Sequence, residues 1–223
     1  RYGHMLATTK PSWPDADVLG GLTRQWRGPA VLHTDVTAAA LAEGRWGAAR
    51  GLADHLYITV GTGVGVGIVA GGRPITGLLH PEAGHIRVRR TAGDDFPGVC
   101  TFHGDCLEGL ASGPAIAARA GRPADDLPAG DPAWTAVADA LAEGIADLMM
   151  TLAPARVVLG GGVITGQPHL LPVIRAAVTA KLGGYLPFAD AASVERIVTP
   201  AGLGAEAGPL GALALADLAL LGR

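Results

Sequence analysis

The segment HLYITVGTGVGVGIVAGGRPI, residues 55–75, constrains the fold more than any other part of the chain. The β-branched and apolar run His55–Val60 reads as a strand. A glycine-alternating stretch, Gly61-Thr62-Gly63-Val64-Gly65-Val66-Gly67, follows it directly, and a second apolar run occupies 67–70. Gly71-Gly72 then signals a hairpin into 73–75. The Walker pattern G-x-x-x-x-G-K-[ST] and the Rossmann pattern G-x-G-x-x-G are both absent here, and a strand rather than a helix follows the glycines. What remains is strand, glycine turn, strand. Alternating glycines let backbone N–H groups close around an anion such as a phosphate, or they close an ordinary tight hairpin. Spacing alone leaves both open.

The rest of the chain alternates. Residues 29–33, 156–159 and 196–199 read as short strands, and residues 36–50, 107–120, 134–152, 170–182 and 208–221 as helices. Residues 121–131 form a polar loop. Interleaved strands and helices, interrupted by a hairpin, predict an α/β fold with a mixed sheet. The 223 residues suffice for one large domain or two lobes. Aromatic residues are only 4%, so the core must be built from Ala, Leu, Val and Ile. A net charge of −3, with 17 basic residues scattered along the chain, gives no basic stripe. No nucleic-acid partner and no membrane partner is therefore expected. The apolar stretch 211–221 is too short to span a bilayer and contains Asp217. With two cysteines and no signal-peptide pattern at the first residues, the expected localisation is cytoplasmic.

Both cysteines fall in one seven-residue window. Cys100, His103 and Cys106 make a C-x2-H-x2-C pattern, with His85 fifteen residues upstream. Two thiolates and two imidazoles suit tetrahedral zinc, and with four protein ligands the ion would be structural. The bland alternative is two reduced cysteines beside surface histidines. His85 is also able to bind zinc through one ring nitrogen and present the other to a ligand. Asp35 stands where a strand would end and a helix begin. It either caps that helix or accepts a proton from a substrate hydroxyl at the carboxyl end of the sheet. Glu82, in Pro81-Glu82-Ala83-Gly84-His85, and Glu108, just after Cys106, would be drawn to one cavity by the metal. Converging carboxylates suit a polyhydroxylated ligand; the alternative is two solvated acids. Gly160, Gly161 and Gly162 follow the strand at 156–159 and open toward a helix, which lets a planar ring or a phosphate lie against backbone, or simply turns a corner.

Together these residues resemble the ROK family of bacterial sugar kinases and related repressors, and within it the fructokinase branch. TDVTAAALAEG around Asp35 is similar to the family's catalytic-aspartate segment, ITVGTGVGVGIV (58–69) to its second phosphate loop, and HPEAGH (80–85) to its sugar-binding E-x-G-H. CTFHGDCLEGLASGPAI (100–116) resembles the fructokinase form of its zinc loop, with His103 where many members carry Cys. LGGGVI (159–164) resembles its adenosine-side loop and GLGAEAGPLGALALA (202–216) its closing helix.

The resemblance implies a two-lobed, actin-like ATPase (ribonuclease H-like) fold. The remainder of the N-terminal lobe would be residues 1–52, the C-terminal lobe 53–204 and the closing helix 205–223. It implies ATP with Mg2+ as phosphoryl donor, a hexose acceptor (fructose first, then mannose or glucose), and structural Zn2+. Asp35 would be the general base. Glu82, His85 and Glu108 would hold the sugar, Thr62, Gly63 and Gly65 approach the phosphates, and Gly160, Gly161 and Gly162 flank the nucleoside. A homodimer is the assembly the family suggests. Two departures stand out: Thr37 replaces the family's usual Asn, and no G-G-T-K-like first phosphate loop precedes Arg1, since Thr8-Thr9-Lys10 lacks paired glycines. The expectation is therefore an N-terminally truncated chain. A non-catalytic sugar-binding regulator and an inactive remnant are the alternatives to a kinase.

Overall fold

The computed structural model describes residues 2–6 and 13–221. In chain order the elements are α1 (Val18–Thr23), α2 (Asp35–Trp46), β1 (His55–Val60), β2 (Val64–Ala70), β3 (Arg73–Pro74), α3 (Leu107–Ala111), α4 (Gly113–Ala120), α5 (Pro132–Leu152), β4 (Arg156–Gly160), α6 (Gly162–Gly166), α7 (Leu170–Leu182), α8 (Ala191–Ile197), β5 (Val198–Pro200) and α9 (Ala207–Leu221). Thr8, Thr9 and Lys10 lie outside the described residues.

The glycine turn does what its flanks require. β1 and β2 pair antiparallel, with Val60 opposite Val64. Gly71 and Gly72 both take positive φ, 59° and 75°, and return the chain into β3. β4 then lies parallel to β1, with Thr59 opposite Gly160, and β5 parallel to β4. Among the described residues this makes one mixed five-stranded sheet in the order β3-β2-β1-β4-β5.

Strand alternation divides the core between two faces. Leu56, Ile58, Val60, Val64, Val66 and Ile68 point to the face covered by α3, α5 and α7, where they meet Leu107, Leu141, Ile145 and Ile174. Tyr57, Val69 and Val158 point the other way, to Ala39 and Ala40 of α2 and Ala207 of α9. Small side chains on that second face bring α2 close to the sheet. The Cβ that Gly67 lacks would fall 2.7 Å from the carbonyl carbon of Val36 and 2.9 Å from Ala40 Cβ. The Cβ that Gly65 lacks would fall 2.6 Å from Val36 Cγ1. These two strand glycines therefore let α2 lie directly on β2. α2 begins under a Thr34 cap, whose hydroxyl accepts from the Thr37 N–H at 3.2 Å. An Arg45–Asp217 ion pair ties α2 to α9.

Three sequence expectations are corrected. Residues 29–33 are not a strand. No described strand lies beside them. The Tyr2 hydroxyl instead takes both backbone groups of Leu32, accepting from its N–H at 2.7 Å and donating to its carbonyl at 3.1 Å. The helix expected over 107–120 is two helices. Ser112 sits between them with φ −68° and ψ 162°, closing α3 and capping α4, and Pro114 supplies a first turn that needs no N–H donor. The strand expected over 196–199 starts at Val198, because Asp190 accepts from the Ser193 N–H at 2.7 Å and caps α8 through Ile197.

Candidate active site

The parallel pair β1 and β4 ends on one side of the sheet in two glycine turns. The first holds Gly61, Thr62 and Gly63, and the Gly61 N–H donates to the Gly63 carbonyl at 2.9 Å. The second holds Gly160, Gly161 and Gly162. Gly161 has φ +89°, and a Cβ there would meet backbone atoms of Val60 and Thr59 Oγ1 at 2.6 Å, so glycine is required. The two turns are neighbours: a Cβ on Gly61 would stand 4.0 Å from the Gly162 nitrogen. Gly162 has open space around it and Thr62 is exposed. The Gly113 N–H donates to the Gly61 carbonyl at 2.7 Å and anchors the first turn to α4. Gly65 lies within β2, against Val36.

Asp35 is the first residue of α2 and is exposed; its Oδ1 accepts the Val36 N–H at 2.9 Å. The capping role weighed for it belongs to Thr34, which leaves most of the carboxylate open to solvent and ligand. Glu108, in the first turn of α3, reaches the glycine turn from the opposite side. Its Oε2 accepts the Val64 N–H at 3.1 Å and lies 2.6 Å from where a Gly63 Cβ would be. Glu108 therefore meets β2 at Val64, and Val36, the residue after Asp35, meets it at Gly65. Glu82 is exposed and accepts from His80 Nε2 at 2.7 Å.

The two cysteines and two histidines converge. One donor atom from each of His85, Cys100, His103 and Cys106 lies within 4.8 Å of every other. His85 Nδ1 is 3.4 Å from Cys106 Sγ and 3.6 Å from Cys100 Sγ, and His103 Nδ1 is 3.7 Å from Cys100 Sγ. Zinc–sulfur and zinc–nitrogen bonds of ordinary length around a tetrahedral ion give a sulfur–nitrogen edge of about 3.6 Å. The three sulfur–nitrogen distances match that edge, and the donor set suits the ion. Burial pushes the Cys106 thiol up, and the neighbouring Cys100 adds to the rise; a cation at the centre offsets both effects by favouring the thiolate. With Nδ1 turned to the sulfurs, His85 Nε2 faces Glu108 Oε1 at 3.8 Å. The ring therefore stands between the sulfur cluster and the carboxylate of the glycine turn.

An ion-pair network fixes the loop that carries the cysteines. Asp94 meets Arg119 of α4 at 2.7 and 3.0 Å and Arg90 at 3.3 Å. The Arg119 bonds hold its carboxyl down to about 2. Asp105 pairs with Arg87 and, at 3.5 Å, with Arg90.

Two residues inside the segments HPEAGH and TDVTAAALAEG have no role assigned from the sequence. His80 opens the HPEAGH segment and holds Glu82. Glu43 looks like any helix acid, yet it has no exposed surface. Only the three-dimensional packing of α2 against the chain after β5 makes it distinctive.

A mixed sheet carries two adjacent glycine turns at parallel strand ends, a carboxylate at the start of the covering helix and a second carboxylate bonded to the residue after the first turn; backbone N–H groups in such turns are able to approach an anion. The chain matches the ROK family over residues 1–218. It is 40% identical over 220 residues to a fructokinase of Pediococcus pentosaceus, covering 99% of this chain and 75% of that protein. Among solved structures it resembles the ROK hexokinase of Thermus thermophilus, with a TM-score of 0.78 and 32% identity over 96% of this chain and 73% of the other. A ROK family glucokinase of Streptomyces griseus, solved with glucose and AMPPNP, gives a TM-score of 0.71 and 28% identity over 94% and 74%. The chain belongs to the ROK family, and its fold is the actin-like ATPase fold that the resemblance implied. Among the described residues no helix is long and apolar enough to cross a membrane.

Proposed function

We propose that this chain is a hexose kinase that transfers the γ-phosphoryl group of ATP to a sugar hydroxyl, with fructose as substrate and fructose 6-phosphate as product. Sugar phosphorylation is supported by the family and by relatives named as fructokinase, hexokinase and glucokinase. The observation that supports this chemistry is Glu108 bonded to Val64 beside the first glycine turn, with the start of α2, which carries Asp35, packed through Val36 on Gly65.

Phosphoryl transfer asks mainly for positioning. The new bond joins the sugar oxygen to the γ-phosphorus, the bond from that phosphorus to the β-bridging oxygen breaks, and the hydroxyl proton passes to the Asp35 carboxylate. Thr62 and Gly63 offer the backbone N–H groups of the first turn to the phosphates. Gly65 serves the same site by letting α2 bring Asp35 close. Gly160, Gly161 and Gly162 flank the nucleoside. Glu82, His85 and Glu108 hold the sugar hydroxyls, with His85 Nε2 and Glu108 Oε1 already facing one another. Mg2+ bound with the nucleotide neutralises phosphate charge. Zn2+ on His85, Cys100, His103 and Cys106 fixes the ring of His85 and the start of α3.

Coupled ADP release with fructose, mannose and glucose tests the reading on the zinc-loaded protein. Fructose-dependent release that falls by about 10²–10⁴-fold in Asp35→Asn is expected. Turnover at the wild-type rate in that variant would remove Asp35 as the base, and release that ignores the sugar would remove the kinase.

A further inference from the structure

Glu43 is fully buried, with 0% exposure, and no Lys, Arg or His among the described residues pairs with it within 4 Å. A carboxylate in that position survives only if hydrogen bonds replace its water. Three backbone donors do so. Oε2 accepts the Ala48 N–H at 2.6 Å and the Gly202 N–H at 3.1 Å, and Oε1 accepts the Leu203 N–H at 3.0 Å. Ala48 lies just past the end of α2, whereas Gly202 and Leu203 follow β5, so one side chain joins segments about 160 residues apart in sequence. Glycine is needed on the far segment: a Cβ on Gly202 would lie 2.8 Å from the Ala48 nitrogen and 3.3 Å from Glu43 Oε2.

The connection continues into the second glycine turn. The Ala201 N–H donates to the Leu159 carbonyl at 2.8 Å, and Leu159 directly precedes Gly160. From Asp35 at one end of α2, the covalent and hydrogen-bonded path therefore runs through Glu43, residues 201–203 and Leu159 to Gly160. A helix placed by packing alone is free to slide by fractions of an ångström. A buried carboxylate that accepts from both segments sets their distance, because any slide breaks charge-assisted bonds that water does not reach.

We propose that Glu43 is a positioning residue that fixes the second glycine turn relative to α2, and so sets nucleotide affinity while leaving sugar affinity alone. This rests on the reading of Gly160, Gly161 and Gly162 as the nucleoside side of a kinase site. Glutamine has the right shape but the wrong chemistry here. Its NH2 group must face either the Leu203 N–H or the Ala48 and Gly202 N–H groups, donor against donor.

The test is calorimetric titration of the zinc-loaded protein with AMPPNP plus Mg2+ and, separately, with fructose. In Glu43→Gln the AMPPNP Kd is expected to rise about tenfold, with the fructose Kd unchanged. Gly202→Ala crowds the same junction from the other segment while leaving the carboxylate chemically intact, and is expected to move the same Kd in the same direction. A merely structural role predicts something else, since parallel weakening of both ligands in the two variants would overturn the proposal. Unchanged AMPPNP binding in both would overturn it as well. Wild-type protein that fails to bind AMPPNP at all would instead overturn the kinase reading on which the proposal stands.

Discussion

Gly67→Ala places one methyl group where the structure has no room for it. The added Cβ overlaps the Val36 carbonyl oxygen, and it falls 2.7 Å from that carbonyl's carbon and 2.9 Å from Ala40 Cβ. Ordinary contact begins near 3.4 Å, and the obstructing atoms are mostly backbone, so a rotamer change cannot relieve the overlap. α2 must move away from β2 by about 1 Å. Overpacking of this kind costs about 1–3 kcal/mol, or roughly 2–12 °C of Tm in a chain of this size. Asp35 rides on the first turn of the displaced helix. A misplacement of about 1 Å in a catalytic group costs on the order of 10²-fold in rate. The prediction is thus a folded variant with a modestly lower Tm and a kcat about a hundredfold below wild type in fructose-dependent ADP release. Gly72→Ala is the control. It lies at the far hairpin, where a Cβ meets nothing within 4 Å and only its φ of 75° is strained. It should lower Tm by a few degrees at most, about 1 kcal/mol of strain, and leave kcat alone. A Gly67→Ala protein that turns over within about twofold of wild type would refute the argument that β2 glycines position the helix carrying the proposed base Asp35.

The other predictions concern the metal loop. The protein is expected to carry one zinc per chain by elemental analysis. Stripping zinc that had been held a thousandfold above its Kd should remove about 4 kcal/mol of stability, a Tm drop of about 8–16 °C; an unchanged Tm after complete removal would contradict the four-ligand centre. Cys106→Ser should show the same loss without a chelator and should not be rescued by added zinc. Asp94 gives a pH signature. Its folded value of about 2 lies below the ordinary 3.8, so its contribution is fully present above about pH 4 and fades as pH falls toward 2. Arg119→Met removes the cause. It should lose stability at pH 7 and match wild type near pH 2 in denaturant titrations; equal losses at both pH values would count against the pairing.

Local chemistry was legible in the sequence where a pattern closes within a few residues. The strand His55–Val60 and the return at Gly71-Gly72 follow from β-branched residues and from φ values that only glycine adopts cheaply. The convergence of Cys100, His103 and Cys106 was legible because they share one short loop, and the structure brings His85 to them from a separate segment. Ser112 followed by Pro114, and Asp190 followed by Ser193, are helix-start signals that the apolar periodicity around them obscured. Partners distant in sequence were not legible. Residues 29–33 have the composition of a strand but no ladder partner among the described residues, and composition does not report partners. Gly65 and Gly67 read as part of an anion turn, whereas their place is in β2 with α2 lying on them. Glu43 is distinguished only by N–H groups brought to it from residues 202 and 203.

The most direct test of the account follows ATP, Mg2+ and fructose by phosphorus NMR in the presence of the zinc-loaded protein. The account predicts a phosphomonoester signal of fructose 6-phosphate growing in step with ADP, and growing far more slowly with Asp35→Asn. ADP paired with inorganic phosphate, or no ester signal at any fructose concentration, would contradict it.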